Sequence, residues 1–468
     1  MRKFQLMTAH LILCCGLSLL GSAAKAQEGA GSGAYIRITD AKFKKSLMAL
    51  PAFQLTGVAA ASPQHLKVGK ELYDVFRQDM EVSGFFDFIK PDAFLEDPAK
   101  VGLKPSPQEA GGFTFPAWKQ IGTEFLVRVG YRMTGSEVVM DAYLYHVPQA
   151  KLVLGRTYRG NMADVRSVAH TFANDVVKEL TGLRGMFLSR IAVSRTAGKD
   201  KKEIFIMDWD GANARQVTTH KSITVSPAWS FDGKTLAYSA YAYHPARKTR
   251  NLDMFTYNPS TGQRQLVSYR PGLNSGASFF PDGRNLLLTI SNAGNPDIYR
   301  MSIDGRRLER LTNGPRGAMN VEPAASPDGS QIAFSSDRNE RPHIFIMNAD
   351  GSNIRRITIA GTYNSAPRWS PDGQRLVFAG YDKGHFDLFT VAADGSDMLR
   401  LTSARKPNGK MADNEDPSYS PDGRHILFVS NRTGRKQLYT VSVDGEVERR
   451  ISYDQNDYSK PHWSPAFE

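Results

Sequence analysis

The histidines of this sequence are its first candidates for catalysis or metal binding. The nine that follow residue 26 are His65, His146, His170, His220, His244, His343, His385, His425 and His462. None of them pair at the spacing that places two metal ligands on one face of a helix. His343 and His385 stand at corresponding places before two predicted strands, and we interpret both as loop or packing residues.

The aspartates are the second candidates, and a repeated turn accounts for five of them. Ser-Pro-Asp-Gly begins at Ser326, Ser370 and Ser420, and near-copies begin at Ser230 and Phe280. Serine, proline and glycine at these places suit a tight type I turn. Acidic neighbours do not follow at the spacing of a calcium loop. These aspartates are therefore predicted to shape turns and not to catalyse a reaction.

Other motifs of catalysis or cofactor binding are missing from the sequence. It has no Gly-x-Ser-x-Gly elbow, no Walker motif and no dinucleotide-binding glycine motif. Both cysteines, Cys14 and Cys15, lie in an amino-terminal apolar run. We predict no catalytic residue, no cofactor and no metal centre. Glu322, Glu415 and Asp416, near the starts of predicted strands, leave a weakly held cation open as an alternative.

The amino terminus predicts export. A basic start is followed by the apolar run Leu11–Leu20, and the small residues Ala24 and Ala26 precede Gln27. This pattern is typical of a signal peptide, here residues 1–26, cut between Ala26 and Gln27. The run is too short to span a bilayer, so no integral membrane segment is predicted. A lipid-modified Cys14 is the alternative.

The charge of the chain gives little support to a nucleic-acid partner. The formal net charge is +12, and removal of residues 1–26 takes away three basic residues and lowers it to +9. The remaining basic residues are scattered, and no nucleic-acid-binding motif accompanies them. No nucleic acid is therefore expected among the partners.

The repeated turn divides the chain from about residue 184 into units of 44 to 50 residues. Each unit has a strand that ends in the Ser-Pro-Asp-Gly turn, a second apolar strand, a third strand that often ends in Asp-Gly, and a polar fourth strand. A period of this length is typical of a four-stranded propeller blade. Arg190–Thr196 is a second strand without a first, and Lys460–Ala466 is a first strand without a second. We predict that the two share one blade, which closes an all-β ring of six blades across residues 184–468.

The segment before the propeller has no repeat. Residues 27–34 are predicted to be a flexible tail and residues 35–183 an α/β domain with helices and a mixed sheet. A first helix, ending at Gly84, would place Leu66, Leu72, Val75 and Phe76 on one side. Three antiparallel strands and a second helix that ends at Gly182 follow.

This arrangement resembles the TolB family, the periplasmic component of the Tol–Pal system of Gram-negative bacteria. The segments that carry the resemblance are "LMALPAFQLTG", "VSGFFDFIKPDAFLEDP", "VVKELTGLRGMFLSRIAVSRT" and the terminal "PHWSP". It covers nearly all of the chain after residue 26. The resemblance implies a periplasmic binding protein that supports outer-membrane integrity and constriction during cell division. It does not imply an enzyme. A propeller-based hydrolase or lyase is the alternative.

The resemblance also implies partners. The lipoprotein Pal is expected to bind the propeller and TolA the amino-terminal segment, while other outer-membrane or peptidoglycan-associated proteins stay open. The chain is expected to be a monomer. At Leu273 and Gly276, which align with positions that touch Pal in family members, the sequence departs from the family, so individual contacts are expected to differ.

The expected binding sites follow from strand order. Loops that enter each first strand vary and surround the channel mouth, which suits a partner-specific surface. The predicted Pal-binding residues are Asn274, Ser275, Asn320, Glu322, Asn364, Ser365, Glu415, Asp416, Ser459 and Lys460. The predicted TolA-binding residues are Tyr35, Ile36, Arg37, Ile38, Thr39 and Asp40.

Overall fold

The computed structural model describes Ile36 and residues 44–57, 60–244, 248–291, 294–315 and 317–467. These residues form an α/β domain followed by a six-bladed β-propeller. The predicted fold class is confirmed. Within the described ranges, no helix is long and apolar enough to cross a membrane.

The first domain contains one mixed sheet. Its strands are β1 (Ser46–Ala49), β2 (Gln54–Leu55), β3 (Phe86–Phe88), β4 (Phe125–Thr134), β5 (Glu137–His146) and β6 (Lys151–Asn161). The order is β3-β1-β4-β5-β6, and β2 also pairs with β4. β1 is parallel to β3 and β4, whereas β4, β5 and β6 are antiparallel. Residues 46–55 form two separate strands, because Pro51 between them has no N–H for the ladder.

The helices of this domain are α1 (Pro63–Ser83), α2 (Phe115–Gln120) and α3 (Val165–Thr181), with 3-10 turns at Pro91–Ala93 and Met162–Asp164. α1 ends at Gly84, where φ is 73°, and packs on α3 through the stacked rings of Phe76 and Phe172, 4.5 Å apart. The prediction that Leu66 shares the buried side of α1 is wrong, since Leu66 is 61% exposed. At about 100° per residue, it lies about 120° around the helix axis from the buried Leu72.

Each blade of the propeller is a four-stranded antiparallel sheet. Blade 1 consists of β10 (Thr224–Trp229), β11 (Leu236–His244), β12 (Thr249–Tyr257) and β13 (Arg264–Ser268). Blade 2 consists of β14 (Asn274–Phe279), β15 (Asn285–Ile290), β16 (Asp297–Ser302) and β17 (Leu308–Arg310). Blade 3 consists of β18 (Asn320–Ala325), β19 (Gln331–Ser336), β20 (His343–Asn348) and β21 (Arg355–Arg356).

The remaining blades complete the ring. Blade 4 consists of β22 (Tyr363–Trp369), β23 (Arg375–Asp382), β24 (His385–Ala392) and β25 (Leu399–Arg400). Blade 5 consists of β26 (Asn414–Tyr419), β27 (His425–Ser430), β28 (Gln437–Ser442) and β29 (Glu448–Arg450). Blade 6 joins the last strand, β30 (Tyr458–Trp463), to β7 (Arg190–Thr196), β8 (Lys202–Asp208) and β9 (Arg215–Gln216). The last strand of the chain thus lies beside β7 in one sheet.

The repeated aspartates shape turns, as predicted. In blade 3, the Ser326 hydroxyl donates to Asp328 Oδ1 and accepts from the N–H of Gln331, both within 2.9 Å. Hydrogen bonds from Ser326 and Ser330 lower the pKa of Asp328 to about 2, so it stays ionised. Gly329 closes the turn with φ of 73°, a conformation that glycine adopts without steric cost.

The propeller has two different ends. We call the end with the Ser-Pro-Asp-Gly and Asp-Gly turns the turn face, and the opposite end the loop face. The first domain docks beside the turns of blades 5 and 6. The Arg424 guanidinium lies 4.2 Å from the centre of the Phe85 ring, and Arg166 pairs with Asp210. The described part of the first domain therefore leaves the loop face uncovered.

Candidate protein-binding face

Every first strand carries a β-bulge at the same position. The register of pairing with the second strand shifts there in all six blades. First strands of neighbouring blades contact one another around the channel, so the bulges form a ring. Its members, with φ between 50° and 66°, are Ser226, Gly276, Glu322, Ala366, Asp416 and Lys460. None of them is β-branched, as expected for a left-handed conformation that crowds Cβ.

Three charged members of this ring meet at the mouth of the channel. Lys460 Nζ lies 2.7 Å from Glu322 Oε1 and 2.8 Å from Asp416 Oδ1. Burial would lower the pKa of Lys460, but the carboxylates of Asp416 and Glu322 outweigh burial and raise it. Beside them, Lys436 Nζ is 2.7 Å from Glu415 Oε2. The acidic residues considered for a cation each pair with a lysine of the chain itself.

The same carboxylates also link neighbouring blades. Glu322 Oε2 accepts the N–H of Ala366 in the next blade at 2.8 Å, and Asp416 Oδ2 accepts the N–H of Lys460 at 2.9 Å. A cavity of about 350 Å³ opens above them, with Tyr363 and Phe386 in its wall. In the part of the chain that the structure covers, no three His, Cys, Asp or Glu side chains are arranged to hold a metal ion.

The predicted Pal-binding residues separate into two layers. Seven of them are partly exposed at the channel mouth: Ser275, Glu322, Ser365, Glu415, Asp416, Ser459 and Lys460. The three asparagines, Asn274, Asn320 and Asn364, are buried, with at most 2% of each residue exposed. The side-chain amides of two of them bind backbone carbonyls of the preceding connection. Asn274 donates to the Arg270 carbonyl at 2.7 Å and Asn364 to the Ala360 carbonyl at 2.9 Å. The asparagine side chains therefore do not reach the surface on which a partner would lie.

An arc of exposed apolar side chains on the loop face was not predicted from the sequence. Four of these side chains lie in the connections that enter the first strands of blades 1 to 4, and the fifth is the first residue of β22 in blade 4. The arc consists of Ile223 (41% exposed), Tyr269 (52%), Met319 (42%), Ile359 (83%) and Tyr363 (42%). Aromatic and large aliphatic side chains are typical energetic anchors of protein interfaces. The signal was available in the sequence, because each is a bulky apolar residue in or next to a connection between two blades.

A long hairpin of blade 1 rises at the rim of this arc. In blade 2, the second and third strands end level with the first strand, at Ile290. In blade 1, β11 runs four residues beyond Ala240, which pairs with the first residue of β10. At about 3.3 Å per residue, the hairpin extends about 13 Å further. Tyr241 and Tyr243, which are 42% and 55% exposed, lie on one side of it, since strand side chains alternate.

The buried polar residues at the starts of the third strands have a structural role. Asp297 Oδ1 accepts the hydroxyl of Thr312 at 2.7 Å, and that hydroxyl accepts the N–H of Ile298 at 2.9 Å. The same clasp joins Asp387 to Thr402, Glu203 to Thr218 and Gln437 to Ser452. These clasps fix the ends of the fourth strands in four blades, so the carboxylates of Asp297, Asp387 and Glu203 are already engaged in hydrogen bonds.

The two singled-out histidines belong to this layer but are not equivalent. His343 takes the clasp position in blade 3, next to Thr358 at 3.3 Å. Burial and the Arg356 guanidinium lower its pKa to about 4. His385 lies two residues before the clasp position and contacts Asp387 at 2.8 Å. The predicted correspondence was wrong, because the longer hairpin of blade 4 shifts the alignment by two residues, but both side chains are buried packing residues as interpreted.

The predicted TolA-binding segment lies almost entirely outside the described residues. Tyr35, Arg37, Ile38, Thr39 and Asp40 belong to the part that the structure leaves out. Ile36 is described: it is 7% exposed, and its N–H donates to the Leu180 carbonyl at the end of α3 at 2.9 Å. This contact places Ile36 beside the end of α3.

Comparison with known proteins gives the family. The chain matches the TolB amino-terminal domain over residues 34–153 and the TolB beta propeller domain over residues 177–467. The chain belongs to the TolB family. The predicted resemblance is confirmed. The members of this family are components of the Tol–Pal system and not enzymes.

Individual TolB proteins support the same assignment. The Tol-Pal system protein TolB of Desulfosudis oleivorans is 32% identical over 279 residues, 59% of this chain and 60% of that protein. That of Geobacter metallireducens is 38% identical over 236 residues, 50% of this chain and 49% of that protein. The chain thus aligns with about half to 60% of the length of these relatives. The crystal structure of TolB from Acinetobacter baumannii has the same fold, with a TM-score of 0.73, 24% identity, and coverage of 90% of this chain and 97% of that one.

Proposed function

We propose that this chain is the periplasmic binding component of a Tol–Pal system, and that it binds the lipoprotein Pal on the loop face of its propeller. Through this contact it would support outer-membrane integrity and constriction during cell division. TolA would bind the segment Tyr35–Asp40. The signal peptide, with cleavage between Ala26 and Gln27, would deliver the chain to the periplasm as a monomer.

The observation that carries the Pal proposal is the apolar arc on a face that the described part of the first domain leaves uncovered. The first domain docks at the turn face, while Ile359, Tyr269 and Tyr363 stay exposed at the other end. The turn face offers less for a partner to recognise, because its turns repeat the same short sequence. An interface of ordinary size uses about 20–30 residues per side with a few buried anchors. The arc, the seven mouth residues and the long hairpin supply a surface of that kind.

The charged cluster at the mouth would add specificity. Lys460 is held between Glu322 and Asp416, and about a third of its side chain stays exposed. A partner that covers this cluster has to match its hydrogen bonds, because buried and unpaired charges are costly. Apolar anchors would therefore supply affinity, and the cluster would select the partner that fits.

The proposal is tested by truncating one anchor at each end of the propeller. Ile359→Ala on the loop face is compared with Val447→Ala on the turn face, since both side chains are exposed, at 83% and 57%. Isothermal titration with purified Pal should show weaker binding by about 1–2 kcal/mol for the first variant and no change for the second. Ser365→Trp, which fills the mouth cavity, should abolish binding. Equal effects at both ends would reject the loop face as the site.

A further inference from the structure

The two faces of the propeller carry opposite charge. The loop face comprises the connections that enter first and third strands, together with the end of the long hairpin. There, ten exposed Lys and Arg residues oppose two exposed acidic residues among the described positions, Asp200 and Glu340. In the connections of the turn face, ten exposed acidic residues oppose four exposed basic ones among the described positions. The chain is basic overall, yet within these connections the exposed acidic residues are concentrated on the turn face.

The acidity of the turn face follows from the fold. The aspartates there accept hydrogen bonds from their own turns, as Asp328 does from Ser330 N–H at 3.0 Å and Asp350 from Ser352 N–H at 2.9 Å. Each repeat of the turn therefore brings an aspartate with it. This face would be acidic in any propeller built from these turns.

The basicity of the loop face has no such origin. Its lysines and arginines lie in connections of different length and sequence, for example at Lys221, Lys248, Arg341, Lys383 and Arg405. Of the ten, Arg435 has a carboxylate of another described residue within 4 Å, at 3.6 Å from Asp457. None of the other nine has a carboxylate of a described residue within that distance. Repulsion among like charges makes this distribution mildly unfavourable for the free protein. The stability of the fold therefore does not account for these basic residues.

We infer that the loop face takes an acidic protein surface, and that the basic rim steers this surface onto the apolar arc. The inference rests on the proposed function, because it gives the chemistry of the partner at that same face. A rim of one sign raises the rate at which a partner of opposite sign arrives in the correct orientation. The acidic turn face repels the same partner and so disfavours docking at the wrong end.

The shape of the face favours a protein over a lipid surface. The basic residues surround a depression with a cavity of about 350 Å³ at the channel mouth. The hairpin that carries Tyr241 and Tyr243 rises about 13 Å beside it, by strand rise. A flat bilayer would touch the hairpin and leave most of the rim in water. A convex protein surface can enter the depression and reach the rim on several sides.

The test measures association rates of the mature chain with purified Pal that lacks its lipid anchor. The rim variant is Lys221→Glu/Arg341→Glu/Lys383→Glu, and the matched control is Lys234→Glu/Arg284→Glu/Arg306→Glu on the turn face. Rates are taken by stopped flow at about 0.02 and 0.2 M salt, over which the Debye length falls from about 20 to about 7 Å. We expect the wild-type rate to fall about tenfold with salt. The rim variant should be slow and nearly independent of salt, and the control should behave like the wild type.

Each contrary result has a separate meaning. Binding whose rate does not change with salt, or equal slowing by the rim variant and the control, would overturn the acidic-partner inference and leave the proposed function standing. Absence of Pal binding at every salt concentration would overturn the proposed function, and the inference with it. Sedimentation of the chain with phosphatidylglycerol vesicles, lost in the rim variant but not in the control, would overturn the inference in favour of a membrane surface.

Discussion

Among single residues, Lys460 links the most parts of the propeller. It lies at a bulge of the last strand, and its ammonium neutralises acidic residues from blades 3 and 5. Those carboxylates in turn accept backbone N–H groups of neighbouring blades. One side chain therefore connects the closure of the ring to the surface where a partner would bind.

Lys460→Met should destabilise the protein. The variant leaves Glu322 and Asp416 facing each other without a cation, at a cost of about 1–3 kcal/mol, reduced from fully buried pairs by solvent at the mouth. Burial opposes ionisation of both acids, but Lys460 outweighs it and lowers the pKa of each. Acids with lowered folded pKa stabilise above their unfolded pKa and lose this contribution as the pH falls.

The stability loss of Lys460→Met should therefore be largest at neutral pH and shrink below about pH 4. Urea unfolding at pH 7 and at pH 4 measures it. Lys436→Met is the matched control, because Lys436 pairs with Glu415 but is 44% exposed, and it should cost less than about 1 kcal/mol. A larger effect at Lys436 than at Lys460 would contradict the role given to the central pair.

Protonation of His462 should destabilise the fold in acid. Its Nδ1 accepts the N–H of Trp229 at 3.3 Å across the seam between blades 6 and 1, and burial, with the Arg368 guanidinium, lowers its pKa to about 3. Because the unfolded histidine titrates near pH 6.5, this group stabilises the fold above that pH. The contribution is lost as the pH falls from 6.5 toward 3. The stability advantage of the wild type over His462→Gln should thus shrink on acidification, by about 1.4 kcal/mol per pH unit at most. A difference that does not change with pH would refute this assignment.

Among the elements, β30 determines whether the ring is closed. It supplies the innermost strand of blade 6, and Trp463, which is 3% exposed, donates from its indole Nε1 to Ser189 Oγ at 2.7 Å. Removal of the residues after Asp457 should open the ring and abolish cooperative unfolding. The milder variant Trp463→Ala should fold and lose about 3–5 kcal/mol. Calorimetric melting compares the two with the full chain, and an unchanged melting temperature after truncation would show that β30 is dispensable.

The amino-terminal segment should be separable from the propeller. Deletion of Gln27–Asp40 removes the buried Ile36 and its contact with Leu180 but nothing described in the blades. We expect the variant to fold, to keep Pal binding and to lose binding of TolA, as measured by a pull-down with each purified partner. TolA binding that survives the deletion would place its site elsewhere on the chain.

The elements also show what sequence can and cannot predict. Blade number and closure were accessible because each turn is local and repeats the same residues. The bulges were not, since the only signal at the bulge position of each first strand is the lack of a β-branched residue. The buried asparagines were misjudged because a polar residue after a loop resembles a surface residue, whereas the connections fold back over it. The hairpin of Tyr241 and Tyr243 was missed although its alternating tyrosines are typical of a strand.

At the scale of the whole molecule, the chain has two ends with different tasks. The turn face is acidic and repetitive. It contacts the first domain where Arg424 lies on Phe85 and where Arg166 pairs with Asp210. The loop face is basic and apolar, and the described part of the first domain leaves it open. Because the ring is closed, a partner on the loop face contacts connections from several blades at once. The central claim is that Pal occupies this end.

Amide hydrogen exchange of the mature chain, with and without purified Pal, tests that claim most directly. We expect slower exchange in the complex within residues 217–224, 269–275 and 357–365, which enter the first strands of blades 1, 2 and 4. Exchange in the turns at 326–331 and 370–375 should stay unchanged, since those N–H groups lie at the other end. Protection confined to the turns, or to the first domain, would contradict the account.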